Sequence, residues 1–161
     1  MTAETAAAWL AEYAPDLRIV ENGQSVATVS EAALALGIDA ARIAKTLALR
    51  ISDQVVIVVV RGDARLDNSR CKAAFGARPR MLQAAEAEEL TGHPVGGVCP
   101  FGLKTLLPVF CDISIRPFAT VFPAAGSRTT SVEIEPDRLC SLLGAQWTDI
   151  CSLPDEVLKP N

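Results

Sequence analysis

The residues best suited to chemistry lie between Gly92 and Asp112, where Gly92, Gly96, Gly97 and Gly102 alternate with Pro94 and Pro100 before an apolar run ends on one carboxylate. Glycines at this density let main-chain N–H groups approach a ligand, and the prolines limit how far the loop can wander. The stretch reads as a rigid binding loop. Inside it, Cys99 follows His93, the single histidine, and the pair is a conceivable thiol nucleophile and base. Asp112 either caps a strand end or turns its carboxylate to a ligand. Lys45 is the other candidate, an ammonium between Ala44 and Thr46 with apolar residues on both sides. Such a lysine either snorkels to the surface or meets a ligand as a compact point charge. Phosphate binding of the Walker type is excluded, because no G-x-x-x-x-G-K-[ST] is present.

Composition narrows the setting. A chain of 161 residues, 50% hydrophobic, suits one domain with a real core, and no uncharged apolar stretch approaches the ~20 residues that span a bilayer. The N-terminus carries Glu4 and no basic region, so it does not read as a secretory signal, and a cytoplasmic protein is expected. Five cysteines without a C-x-x-C pair point to reduced, mostly buried thiols. One histidine followed by proline excludes a histidine-rich metal site. The net charge of −4 argues against coating nucleic acid by charge alone. Residues 61–80 nevertheless hold six cations against two carboxylates. That segment is either a solvated helix face or a docking patch for a phosphate backbone.

The elements that must position these residues follow from capping and periodicity. An alanine-rich helix over Ala3–Ala14 ends at Pro15, and Thr28 with Glu31 forms a capping signal for a helix from Val29 to Leu36, stopped by Gly37. Asp39 caps a short helix, Ala40–Ala44, which delivers Lys45 to a strand over Thr46–Ile51. Val55–Val60 is a β-branched central strand forming an antiparallel hairpin with it. Helices are expected over Ser69–Phe75, Ala84–Leu90 and Asp137–Leu143, and strands over Leu106–Cys111, Thr120–Pro123, Ser131–Ile134 and Gln146–Ile150. Hairpins without a regular βαβ rhythm predict an α+β fold, a mixed, largely antiparallel sheet with helices packed around it. The tail 155–161 reads as loose.

Four segments in order carry a resemblance. Gly96-Gly97-Val98-Cys99-Pro100-Phe101-Gly102 is similar to the G-G-x-S-P-x-G loop of the YbaK/EbsC family, free-standing relatives of the editing domain inserted in bacterial prolyl-tRNA synthetases. Ile43-Ala44-Lys45-Thr46-Leu47, Gly62-Asp63 and Ala125-Gly126-Ser127-Arg128 match in turn, so the resemblance spans about Val29 to Ile150. Cys99 stands where the family usually has serine, a residue not regarded there as a covalent nucleophile.

The resemblance implies a trans-editing hydrolase that deacylates mischarged aminoacyl-tRNA, most plausibly tRNA for proline carrying a small wrong amino acid. It assigns Lys45, Gly97 and Asp112 to catalysis, and Thr46, Gly96, Val98, Cys99, Pro100, Phe101, Gly102 and Gly126 to substrate binding. Arg65, Arg70, Lys72, Arg78 and Arg80 are the candidate tRNA contacts. No metal or cofactor is implied. The partners would be the aminoacylated 3′ end of tRNA and prolyl-tRNA synthetase, with no membrane and no DNA. The competing reading is a non-catalytic protein that captures aminoacyl-tRNA or a small ligand on the same fold.

Overall fold

The structure, a computed structural model, describes residues 2–94 and 97–154. The expected loose tail and Gly96 lie outside the described residues. Five helices are present among them: α1 (Thr2–Tyr13), α2 (Val29–Leu36), α3 (Asn68–Phe75), α4 (Ala84–Thr91) and α5 (Pro136–Leu142). The strands are β1 (Val20–Glu21), β2 (Ile43–Ile51), β3 (Gln54–Arg61), β4 (Arg65–Leu66), β5 (Arg80–Met81), β6 (Val109–Asp112), β7 (Phe122–Pro123), β8 (Thr130–Ser131), β9 (Gln146–Thr148) and β10 (Cys151–Ser152).

The main sheet runs β5-β2-β3-β6-β9, and β7 pairs β2 as well. It is mixed, as expected. The long β2/β3 hairpin and the β2/β5 pair are antiparallel, while β3/β6, β6/β9 and β2/β7 are parallel. Two small antiparallel pairs, β1/β8 and β4/β10, complete the set. Val56 to Val60 are almost fully buried, which is why this unbroken β-branched run occupies the sheet centre. One face of the sheet packs Ala44, Val59 and Cys111 against Leu10, Phe101 and Leu139; the other packs Leu49, Val58 and Val60 against Cys71 and Ile150.

Local signals set α2 closely. Thr28 Oγ1 accepts the Glu31 N–H at 3.1 Å, and Gly37 closes the helix in the left-handed region at φ 66°. Its position against the sheet depends on Gly62, because a Cβ there would lie 2.3 Å from the Ala40 carbonyl oxygen and 2.9 Å from Val29 Cγ1. Only glycine lets the end of β3 pass so close.

Two expectations are corrected. Ala40–Arg42 is a single 3-10 turn and β2 begins at Ile43, so Lys45 lies inside a strand instead of at a helix-to-strand junction. The apolar run Leu106–Cys111 is not one buried strand either. Leu106 is fully exposed, and pairing starts at Val109, immediately after Pro108. The Pro108 carbonyl accepts from Ile57 N, but proline has no N–H to extend the ladder.

Candidate active site

A cavity of about 340 Å³ opens along the outer edge of β2. Both β7 and β5 pair that edge, the first at Ile43–Ala44 and the second at Leu49–Arg50. Between them no strand among the described residues pairs the edge. Leu82 N donates to Ala48 O, so by strand alternation the N–H and C=O of Thr46 face the same gap. The remaining walls come from α2 (Val29, Ala32, Leu36), the start of α4 (Ala84, Ala87), Val98 of the Gly-rich loop, and Phe122, Ala124 and Ser131.

Lys45 and Thr46 both line this cavity. Lys45 Nζ donates to Ala64 O at 2.8 Å, which holds the ammonium and leaves two of its three N–H donors. Burial pulls its pKa below the ordinary lysine value, and Cys151 and the Asp63 carboxylate offset part of that. Asp63 itself is held by Arg61, whose Nε donates at 2.5 Å and whose second contact is 3.0 Å. The Thr46 hydroxyl is buried without a partner, an orphaned polar atom on the wall of a cavity.

The Gly-rich loop divides in two. Val98 faces the cavity, whereas Cys99, Pro100, Phe101 and Gly102 are buried in the opposite direction. Phe101 stacks at 5.7 Å on Trp9 of α1, and at Gly102 a Cβ would sit 2.7 Å from Thr5 O. Phe101 and Gly102 therefore anchor the loop to α1, and none of the four residues is among those lining the cavity. Gly97 lies above the 125–128 connection: a Cβ would be 3.0 Å from the Ser127 backbone. Its N–H donates to Pro94 O at 2.9 Å and is not open to an oxyanion in this conformation. Gly126, in the left-handed region at φ 96°, shapes that same connection and is absent from the cavity wall.

Asp112 is not among the residues lining the cavity either. It is 1% exposed, with Oδ1 accepting from Ile150 N at 2.8 Å and Oδ2 from Ser114 N at 2.9 Å. It clamps the strand end.

The thiol pair is brought together and still disarmed. Cys99 Sγ lies 3.5 Å from His93 Nε2, but that nitrogen is 2.8 Å from Phe101 O and must carry its proton to donate there. It has no lone pair to offer the thiol. Burial pushes the Cys99 thiol up to about 12 and the His93 pKa down, so both stay neutral. Cys99→Ser should keep ester hydrolysis within about tenfold, and mass spectrometry should find no acyl adduct on the native thiol. A collapse of the rate in the folded serine variant would restore the thiol mechanism.

Of the cationic segment, Arg65, Lys72, Arg78 and Arg80 are exposed. Arg70 is engaged with Cys151 O and lies 3.6 Å from Asp149. Arg65 flanks Lys45 closely enough to act on its charge, and Arg80 is two residues before Leu82 on the cavity wall. Sequence reasoning missed the α2 wall, Leu82, Phe122 and Ser131. The caps of α2 were legible, but no local signal says whether its apolar face meets core or cavity.

Comparison with known proteins agrees with this geometry. The profile of the aminoacyl-tRNA editing domain matches residues 24–142. A Bacillus subtilis protein of uncharacterised function, YwhH, is 44% identical over 83% of this chain and 86% of its own length. EbsC of Enterococcus faecalis, named as a candidate Cys-tRNA(Pro)/Cys-tRNA(Cys) deacylase, is 29% identical over 81% of this chain and 79% of its own. The crystal structure of a candidate trans-editing enzyme for prolyl tRNA synthetase superposes with a TM-score of 0.85 at 30% identity, covering 93% of this chain and 96% of that one. With the profile spanning every wall of the cavity, this chain belongs to the aminoacyl-tRNA editing domain family.

Proposed function

We propose that this protein hydrolyses the ester bond of mischarged aminoacyl-tRNA in trans, with tRNA for proline as the favoured carrier. The observation that carries this is the unpartnered Thr46 hydroxyl on an apolar cavity along the β2 edge, next in the strand to Lys45. An aminoacyl ester is already a good acyl donor, so the protein has to place the ester, a water and the developing oxyanion rather than build a nucleophile. Lys45 supplies the point charge for the oxyanion or the terminal phosphate. The Thr46 hydroxyl and edge backbone orient the acyl group. Water adds to the acyl carbon, and the ribose oxygen leaves with a proton passed through the neighbouring 2′-hydroxyl or a water it orients. Among the described residues no group of three or more His, Cys, Asp or Glu side chains is arranged to hold a metal ion, and the reaction is written without one.

One methylene in an apolar pocket is worth only ~1–3 kcal/mol, so sorting of acyl groups by size is coarse. The names of the two relatives that mention proline support the carrier, and a cytoplasmic location with prolyl-tRNA synthetase nearby would follow. Arg65, Lys72, Arg78 and Arg80 are proposed to meet the acceptor-stem phosphates, with Arg70 holding β10. The bonded N–H of Gly97 favours a second reading, a protein that captures aminoacyl-tRNA without hydrolysing it.

A single-turnover panel of tRNAs charged with alanine, serine, threonine, cysteine and 2-aminobutyrate separates the two. Hydrolysis of at least one ester, unchanged by EDTA, is expected; binding without hydrolysis would leave the capture reading. Replacing Arg65, Lys72, Arg78 and Arg80 together by alanine should weaken binding and flatten its salt dependence. An unchanged salt slope in the folded variant would return the segment to an ordinary solvated face.

A further inference from the structure

We infer that Arg42, from outside the cavity, sets the acyl selectivity of the site by holding the ring of Phe122, one of the cavity walls. The inference rests on the deacylase reading and adds to it a positioning residue. Phe122 lines the cavity and Arg42 does not. What joins them is the guanidinium, whose Cζ stands 5.1 Å from the centroid of the Phe122 ring.

The chain places Arg42 there by local means. Asp39 Oδ1 accepts the Ala41 N–H at 2.9 Å and Asp39 O accepts the Arg42 N–H at 3.0 Å, which closes the 3-10 turn and leaves Arg42 as the last residue before β2. From that position the guanidinium grips the residue two before Phe122. Nε donates to Thr120 O at 3.2 Å, and Nη2 donates to Thr120 Oγ1 at 2.6 Å. Thr120 Oγ1 in turn donates to Glu133 Oε2 at 2.5 Å, and that oxygen lies 3.5 Å from Nη2. The ion pair is partly exposed and contributes little. The two-point grip and the ring contact carry the effect. A planar fork supplies both, since its edge takes two oxygens while its face is left for a ring.

Phe122 needs such a hold on its β2 side. β7 is two residues long, and its second residue, Pro123, has no N–H to give to a ladder. Away from β2 the same stretch is well fixed: Val121 exchanges both backbone bonds with Ile134, at 2.8 and 3.0 Å, and Val132 N donates to Pro123 O at 3.1 Å. Against β2 the pairing covers Ile43 with Phe122 and Ala44 with Pro123. Phe122 packs on the cluster of Val26, Ala32 and Ile43, and those three residues wall the cavity with it. A ring released by Arg42 gains room to turn or withdraw. The wall it forms then yields to acyl groups with bulkier side chains.

The test compares one tRNA charged with alanine and with valine, each single-turnover rate divided by the spontaneous hydrolysis rate of that ester. In Arg42→Met, which keeps a long unbranched stem and loses the fork, the valyl-to-alanyl ratio should rise about fivefold or more. Thr120→Val removes one oxygen of the grip and should raise the ratio about twofold, so it decides the matter where Arg42→Met does not fold. Phe122→Leu should raise the ratio as well, and adding Arg42→Met to it should change the ratio by less than about twofold, because the ring through which Arg42 acts is gone. An arginine that only stabilises the fold would lower the melting temperature and leave the ratio where it was. That outcome would overturn the inference and leave the deacylase reading standing, and so would a full further shift of the ratio on the Phe122→Leu background. No hydrolysis of any charged tRNA by the native protein would overturn both.

Discussion

Lys45→Ala should lower single-turnover deacylation by about 10²–10³ while leaving the fold in place. The size follows from removing one charge-assisted contact to a developing oxyanion in a site shielded from water, typically ~2.7–4 kcal/mol of transition-state stabilisation. The fold should tolerate the change because the side chain makes one recorded hydrogen bond, to Ala64 O, and a single bond of this kind contributes about 1 kcal/mol. In a chain of this size that is a shift in Tm of only ~2–4 °C. Lys45→Arg should rescue poorly. The guanidinium is planar and longer, and it cannot hold Ala64 O and present the same compact charge to a substrate. Rates beside thermal melts decide the matter: a normal rate in Lys45→Ala removes the central assignment, and a large drop in Tm makes the lysine structural.

Why Lys45 was legible and much of its setting was not is a matter of range. An ammonium inside an apolar run is visible in sequence because burial of an unpaired charge is costly. The caps of α2 at Thr28 and Gly37 and the buried character of Val55–Val60 are equally local, and the structure has them within a residue or two. The Gly-rich loop was visible as a loop, but which of its side chains face a ligand depends on α1, whose Trp9 and Thr5 lie far away in sequence and claim Phe101 and Gly102. The same holds for Cys99 and His93. Their spacing suggested chemistry, and the carbonyl of Phe101 settles the tautomer that prevents it. Leu106 shows the limit from the other side, since an apolar run reads as buried strand whether or not a partner exists to cover it.

Asp112 offers the second large effect, in stability rather than rate. Both of its oxygens accept buried backbone N–H groups, from Ile150 and Ser114, and hydrogen bonds to a charged acceptor contribute roughly 1.5–3 kcal/mol each. Asp112→Ala should therefore cost about 3–5 kcal/mol, a fall in Tm of roughly 6–20 °C by the ~2–4 °C per kcal/mol of a chain this long. Asp112→Asn should recover only part of this, because its amide turns a donor toward one of two N–H groups that need acceptors. The clamp also reaches the site indirectly. Ser114 Oγ accepts from Arg61 N, Ala64 N donates to Arg61 O, and Ala64 O receives Lys45. A loosened turn would move Lys45 slightly, so a threefold loss of rate well below the melting temperature fits this role. A Tm unchanged in Asp112→Ala with a hundredfold slower reaction would instead make the carboxylate catalytic, against its burial.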